Sequence, residues 1–197
     1  VPSGGAPVSP RRRRGCETEV VTHDAVRHCS FSTERLLVDE WHRQAIRFDL
    51  DLTSVVGDIL TAATTSELPP EWRGDFDAER AQSWIDARDL ESPTLLAVES
   101  ETALIVGLLI LFAAADDLDP QTVDLRTGYV LAESAWGRGF ASELVAGLIE
   151  WSRSEASIRT ISAGVAPSNE ASAQVLLKNG FELTAAPGSE RLYQISL

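Results

Sequence analysis

The sequence has little of what several chemistries require. Its 197 residues include only two cysteines, Cys16 and Cys29, and three histidines, His23, His28 and His42. So few cysteines imply no disulfide framework and make a reducing cytoplasm the expected compartment. All three histidines precede the motifs described below, which argues against a Ser-His-Asp triad. Cys16, His23, His28 and Cys29 fall close together but match no standard zinc-finger spacing, so no metal is expected. Methionine is absent, and Lys178 is the sole lysine against sixteen arginines, a bias of composition rather than a sign of chemistry. No apolar run reaches membrane-spanning length. The longest, Ala103–Ala115, falls short of the roughly 20 residues a bilayer needs. Residues 1–30 contain no apolar core of signal-peptide type. No membrane partner is expected.

What the chain does have is acid. The formal net charge is −13, although residues 1–30 carry five Arg against Glu17, Glu19 and Asp24. The rest of the chain is therefore more acidic than the total. Such a surface repels nucleic-acid phosphate, and nucleic acid is not an expected partner. It suits either a cationic substrate or simple solubility. Residues 1–30, rich in Pro, Gly, Ser and Arg, read as a disordered leader, with one folded domain over 31–197.

Along that domain, Leu36–Val38 reads as a strand and Trp41–Thr61 as helix, broken at Pro69-Pro70. Asp77–Arg88 places Ala78, Ala81 and Trp84-Ile85 at helical spacing. Thr94–Glu99 and Ala103–Phe112 form a strand pair, and Ala113–Thr122 an acidic loop. Val123, Leu125, Thr127, Tyr129 and Leu131 alternate as in a strand. After Trp136-Gly137-Arg138-Gly139-Phe140, the residues Ala141, Leu144, Val145, Leu148 and Ile149 follow helical spacing. A strand over Thr160–Val165, a helix over Asn169–Lys178 ending at Asn179-Gly180, and strands at Phe181–Leu183 and Leu192–Ile195 complete the chain. The C-terminal half therefore reads as an α/β layout.

Glycines at 137 and 139, between a strand and a helix, have a physical use. The first helical N–H groups lack partners and converge there. The helix dipole adds attraction for an anion, usually about 0.3–1 kcal/mol. Glycine lets backbone approach phosphate oxygens closely, and Arg138 can add charge-assisted hydrogen bonds. A connecting turn is the plain alternative. No Gly-Lys-Ser/Thr follows, so this is no Walker loop, and the third glycine of a dinucleotide fingerprint is missing.

The segment Gly128–Glu143 resembles the acetyl-CoA motif of the GNAT N-acetyltransferase superfamily, Arg/Gln-x-x-Gly-x-Gly/Ala, with Gly139 and Ala141 at its last two fixed positions. Trp136 departs from the usual Arg or Gln. Trp-Gly-x-Gly-Tyr/Phe-Ala is the form common in the branch resembling ribosomal-protein N-terminal acetyltransferases. Asn169-Glu170-Ala171-Ser172 through Lys178-Asn179-Gly180-Phe181 resembles the family's Asn-x-x-Ser-x-x-Val-x-x-Lys-x-Gly-Phe block. Ser32–Leu36 and Ala81–Ile85 also look like this branch.

The resemblance covers about residues 31–197. It implies an acyl-CoA N-acyltransferase fold, a mixed and mostly antiparallel sheet with helices on both faces. It implies acetyl-CoA as cosubstrate and direct transfer to an amine acceptor, a protein N-terminus or a cationic small molecule, by a monomer or homodimer. The strand segment Val130 and Leu131 would pair with the pantetheine arm. Trp136, Gly137, Arg138, Gly139, Phe140, Ala141 and Ser142 would form the pyrophosphate turn. Asn169 would bond pantetheine, or else act as a plain helix N-cap.

The acid that protonates the departing thiolate is usually a Tyr seven residues after the motif Asn. Here that position is Leu176, and Ser172 is the nearest replacement, with helix packing as the alternative role. No base stands out, since Glu99, Asp124 and Glu133 read as solvated carboxylates. A lysine-like amine costs roughly 4–5 kcal/mol to deprotonate at neutral pH, an α-amine only about 1 kcal/mol. The missing base thus tilts toward an α-amine. The rival readings are a non-catalytic acyl-CoA-binding or partner-binding module, and an enzyme for small cationic amines using the acidic loop Asp116-Asp117-Leu118-Asp119.

Overall fold

The computed structural model describes residues 26–115, 122–185 and 190–197. Strands β1 (Phe31–Ser32) and β2 (Leu36–Glu40) lead into helices α1 (Trp41–Phe48), α2 (Leu52–Ile59) and α3 (Ala78–Glu91). Three strands follow, β3 (Thr94–Glu99), β4 (Ile105–Ala115) and β5 (Val123–Leu131). Helix α4 (Phe140–Ser154), β6 (Ile158–Val165), α5 (Glu170–Lys178), β7 (Glu182–Ala185) and β8 (Arg191–Ser196) complete the chain. One eight-stranded sheet runs β1-β2-β3-β4-β5-β6-β8-β7, antiparallel throughout except where β5 meets β6. The expected mixed, mostly antiparallel sheet is what forms.

Alternation along each strand sorts side chains to two faces. On β3, Leu95 and Ala97 join one core cluster, and Leu96 and Val98 the other. The first face is covered by α4 through Phe140, Leu144, Val145 and Leu148, and by α5 through Ala173 and Leu176. The second is covered by Trp41 of α1, by Val55, Val56 and Ile59 of α2, and by Ala81, Trp84 and Ile85 of α3. Helices thus lie on both faces. Each buries an apolar stripe that the sheet alone leaves open to water.

Three expectations change. The stretch Trp41–Thr61 is two helices, because Asp49 turns left-handed (φ 52°) at the end of α1 and the Asp51 side chain accepts from the Thr53 N–H to start α2. The ordered core reaches back past Phe31: Val26 and Cys29 are buried against β2 and β3 residues in the first cluster. Burial pushes the Cys29 thiol well up, so it is an inert core group rather than a ligand. The short strand β1 was not legible in the sequence. The rest of the expected leader, residues 1–25, and the acidic loop at 116–119 lie outside the described residues.

Strand β4 carries a bulge. Ala97 pairs with Gly107 and Val98 with Ile105, leaving Val106 as the extra residue. Here β4 closes tightly on β5, since a Cβ on Gly107 would sit 2.3 Å from the Val130 carbonyl oxygen and 2.8 Å from Leu131 Cα. No L side chain fits without moving backbone. Gly107→Ala is therefore expected to lower unfolding free energy by about 1–3 kcal/mol, the cost of overpacking. Urea denaturation checks this: the midpoint falls with the slope unchanged, and a variant as stable as the wild type contradicts it.

Candidate active site

The one parallel pairing in the sheet is brief. β5 and β6 are in register only from Val123↔Ile158 to Arg126↔Ser162. Beyond that point β5 continues to Leu131 paired only with β4, and β6 continues to Val165 paired only with β8. Asp124 fastens the apex, accepting from Thr160 Oγ1 at 2.5 Å and Ser162 Oγ at 2.9 Å.

Hydrogen-bond alternation says what faces the opening. The Val123 N–H points to β6, onto Ser157 O at 2.8 Å, and the Ala132 N–H points to β4, onto Val106 O at 3.0 Å. Odd-numbered residues of β5 therefore turn N–H and C=O toward β6. Past the last pairing these belong to Tyr129 and Leu131, with no strand opposite. The Leu131 carbonyl is taken by the Trp136 indole N–H at 3.0 Å. Thr127 Oγ1 is buried without a partner. Backbone and side-chain groups thus stand ready for a ligand with amides of its own.

At the mouth of this opening stands the N-terminus of α4. Gly137 and Gly139 are left-handed, with φ 71° and 82°. Gly139 caps the helix with no side-chain hydrogen bond. The first intrahelical bond runs from the Glu143 N–H to Gly139 O. The N–H groups of Phe140, Ala141 and Ser142 thus have no intrahelical acceptor. A Cβ on Gly137 would meet nothing within 4 Å. The start of α4 thus presents main-chain N–H groups beside open space.

The neighbouring cations are already engaged. Arg138 bonds Glu99 Oε1 at 2.8 Å, and Glu99, which also accepts from the Thr102 hydroxyl, is only 7% exposed. Arg35 bonds Glu143 Oε2 through Nε at 2.7 Å and donates to the Arg138 carbonyl at 3.2 Å. Both guanidinium groups lie on the Phe140 ring, 4.4 Å and 4.7 Å from its centroid. The Ser142 hydroxyl accepts from Asn179 Nδ2 at 3.1 Å, tying α5 to the start of α4.

The expectation of solvated carboxylates fails for two of three. Glu99 is a buried partner of Arg138, and Asp124 holds the apex. Glu133 is exposed and accepts from Thr61 Oγ1 at 2.7 Å. Sequence reasoning missed Glu190. A Cβ on Gly164 would lie 2.8 Å from Glu190 Oε2. Gly164 alternates with Ala163 and Val165 and so faces away from α4 and α5, putting this carboxylate over β6 past the last β5 pairing.

Asn169 is the N-cap of α5, its side chain accepting from the Ser172 N–H at 3.0 Å. Leu176 is fully buried in the core, so the family's acid position is apolar here. The Ser172 hydroxyl instead meets the Tyr129 hydroxyl at 2.8 Å. The sequence marked Tyr129 only as a strand residue. Burial raises its phenol above the ordinary value, and the Ser172 bond offsets this only in part.

The sequence matches the family model for the acetyltransferase (GNAT) domain over residues 43–182, more than half the chain. This chain belongs to the GNAT acetyltransferases. Among solved structures, the GNAT-family acetyltransferase of Bacillus anthracis is similar with a TM-score of 0.67 and 16% identity, covering 86% of this chain and 98% of that one. An acetyltransferase of Agrobacterium tumefaciens gives a TM-score of 0.62 and 20% identity, with 85% and 94% covered. RimL, the ribosomal L7/L12 α-N-protein acetyltransferase, in complex with coenzyme A, gives 0.62 and 18%, with 84% and 96% covered. At these identities the likeness is one of fold. No curated protein sequence matches significantly. Among the described residues, no helix is long and apolar enough to cross a membrane, and no group of three or more His, Cys, Asp or Glu is placed to hold a metal ion.

Glu143 anchors the β1–β2 turn to α4. Burial alone would raise its carboxyl, but the Thr33 hydroxyl and the Arg35 amide and guanidinium outweigh it, and the net value is below the ordinary one. A lowered carboxyl contributes stability above its unfolded pKa, about 4.3, and loses it as pH falls through the folded value. Urea midpoints should therefore drop between pH 5 and 3 more steeply in the wild type than in Glu143→Gln. Parallel pH profiles would show that the anchor contributes nothing.

Proposed function

We propose that this GNAT domain is an acetyl-CoA-dependent N-acetyltransferase moving the acetyl group directly to a primary amine. What carries this reading is one coincidence. The unpaired edge of β5, the unpartnered amides of residues 140–142 and the Ser172 hydroxyl all border the place where β5 and β6 part. The amides of the 137–142 turn would hold the pyrophosphate of acetyl-CoA. Val130 and Leu131 would lie along its pantetheine arm, with the open N–H of Leu131 available to the thioester carbonyl as it gains charge. Asn169 fixes the helix start that presents Ser172, the proposed acid for the departing thiol.

On the acceptor side, Glu190 is the proposed base. Its carboxylate lies on the sheet face opposite α4 and α5. An α-amine needs only about 1 kcal/mol of help at neutral pH, which an exposed carboxylate acting through water can give. A protein N-terminus is therefore the favoured acceptor class, the class on which RimL acts. The acidity of the chain suits acceptors carrying further positive charge.

Two measurements test this. Isothermal calorimetry should show coenzyme A binding to the wild type and at least about tenfold weaker binding to Gly137→Val, which places a branched side chain at a left-handed position of the phosphate turn. Thiol release from acetyl-CoA should appear with at least one member of a panel of N-terminal peptides and polyamines. Glu190→Gln should lower kcat by about ten- to a hundredfold. Binding without turnover on any amine would favour the non-catalytic module instead, and no binding at all would remove both.

A further inference from the structure

We propose that Tyr129 is a positioning residue that turns the Ser172 proton toward the departing thiol sulfur, taking over from strand β5 what the family's helix tyrosine does where Leu176 now stands. The inference rests on the role proposed above for Ser172.

It begins from hydroxyl bookkeeping. A serine hydroxyl has one proton and two lone pairs. Left alone, Ser172 at the first turn of a helix has other uses for that proton, since Ser and Thr side chains readily bond nearby backbone. Its own N–H is held by Asn169 Oδ1, which fixes the main chain but not the hydroxyl rotor. The Tyr129 hydroxyl, 2.8 Å away, supplies the missing constraint. If Tyr129 donates, the Ser172 oxygen is an acceptor in that bond and its single proton is free to point elsewhere. A donated bond also polarises the serine O–H and strengthens it as a donor.

A phenol is more acidic than a serine hydroxyl and so the better donor of the two, which assigns Tyr129 the donor role. Its ring lies on the α4–α5 face of β5, packed against the core beside Leu131 and Leu176 of the same cluster. The buried phenol, with its raised pKa, stays protonated across the neutral range. Its own main-chain N–H and C=O face the unpaired edge. The Tyr129–Ser172 bond therefore bridges strand and helix beside the route proposed for pantetheine.

The step balances as follows. The amine lone pair forms the C–N bond to the thioester carbon, and the C–S bond breaks with its electron pair on sulfur. Sulfur takes the Ser172 proton. Ser172 is resupplied along its bond from Tyr129, which regains a proton from water. The proton lost by the acylated nitrogen passes to Glu190 and on to water. The products are the N-acetyl amine and the free thiol.

The test measures thiol release from acetyl-CoA with an acceptor from the panel above. Tyr129→Phe keeps the ring and removes the hydroxyl. It should lower kcat about tenfold, the scale of one orienting hydrogen bond, with KM for acetyl-CoA and affinity for coenzyme A within about twofold of wild type. Ser172→Ala should lose at least as much, and the double variant should be no slower than Ser172→Ala alone. Since Tyr129 and Tyr193 are the only tyrosines, 3-fluorotyrosine can replace both without altering shape. It should move the high-pH fall of kcat to lower pH, and this shift should vanish in labelled Tyr129→Phe. The shift itself is read on a chain that keeps both rings and both hydroxyls.

Losses that multiply in the double variant, or a Tyr129→Phe kcat within twofold of wild type, would overturn the proposal while leaving an active acetyltransferase. A wild type that releases no thiol with any acceptor would overturn it together with the proposed function.

Discussion

The molecule is organised around a failure of pairing. Two parallel strands share a register for a few residues and then part, although both continue. Each strand past the apex carries backbone N–H and C=O groups that a closed sheet would have satisfied, and leaving such groups bare is costly. The arrangement persists because the strands are held from both ends. Asp124 binds Thr160 and Ser162 at the apex. The outer flanks of β5 and β6 are secured by β4 and β8. Near the open end side chains tie the neighbouring elements together, Tyr129 of β5 to Ser172 of α5 and Asn179 after α5 to Ser142 of α4. The opening is thus a built feature of the sheet, and the proposed acyl donor is what would restore the missing hydrogen bonds.

Electrostatics explain why a turn proposed to hold phosphate would rely on amides rather than free cations. The chain carries a net charge of −13, a long-range field that disfavours an anionic ligand. The two arginines at the turn do not oppose that field freely, since Glu143 and Glu99 pair with them. What they provide is rigidity. Arg35 joins the β1–β2 turn to α4, Arg138 joins the glycine turn to the end of β3, and both clamp Phe140, whose own amide is one of the unpartnered three. Oriented N–H groups act over one or two bond lengths, where distant carboxylates are screened by water and salt. For the proposed phosphate contact, fixing the turn would therefore count for more than another exposed guanidinium.

How much of this the sequence disclosed depended on whether the signal was local. The strand over 123–131, the helix after Gly139 and the stop at Asn179-Gly180 were all legible, because periodicity and caps are properties of neighbouring residues. Gly180 indeed ends α5 at φ 86°, with the Phe181 N–H returning to Leu176 O. The break at Asp49–Asp51 was also local, but two aspartates inside an apolar pattern read equally well as one solvated helix face. The burial of Glu99 was not local. Its partner Arg138 is 39 residues away, and only the closure of β3 against the turn brings them together. Glu190 over Gly164 and Tyr129 beside Ser172 were hidden for the same reason. Each pair joins separate elements, and neither residue type is remarkable where it stands in the chain.

The same distinction bears on where chemistry sits in this fold. The proposed phosphate turn is a contiguous motif, legible in sequence even with Trp136 in place of the usual Arg or Gln, since the indole N–H serves a strand carbonyl and leaves the turn's amides free. A proton donor has no such contiguity. It needs only to bring one hydroxyl to one point, and a strand residue on the right face reaches that point as well as a helix residue does. With Ser172 and Tyr129 in the roles proposed for them, the position seven residues beyond Asn169 would be released from chemistry, and Leu176 serves the core, where it is fully buried. On the proposed roles, the absence of the family's helix tyrosine is a transfer of duty between two elements that already touch.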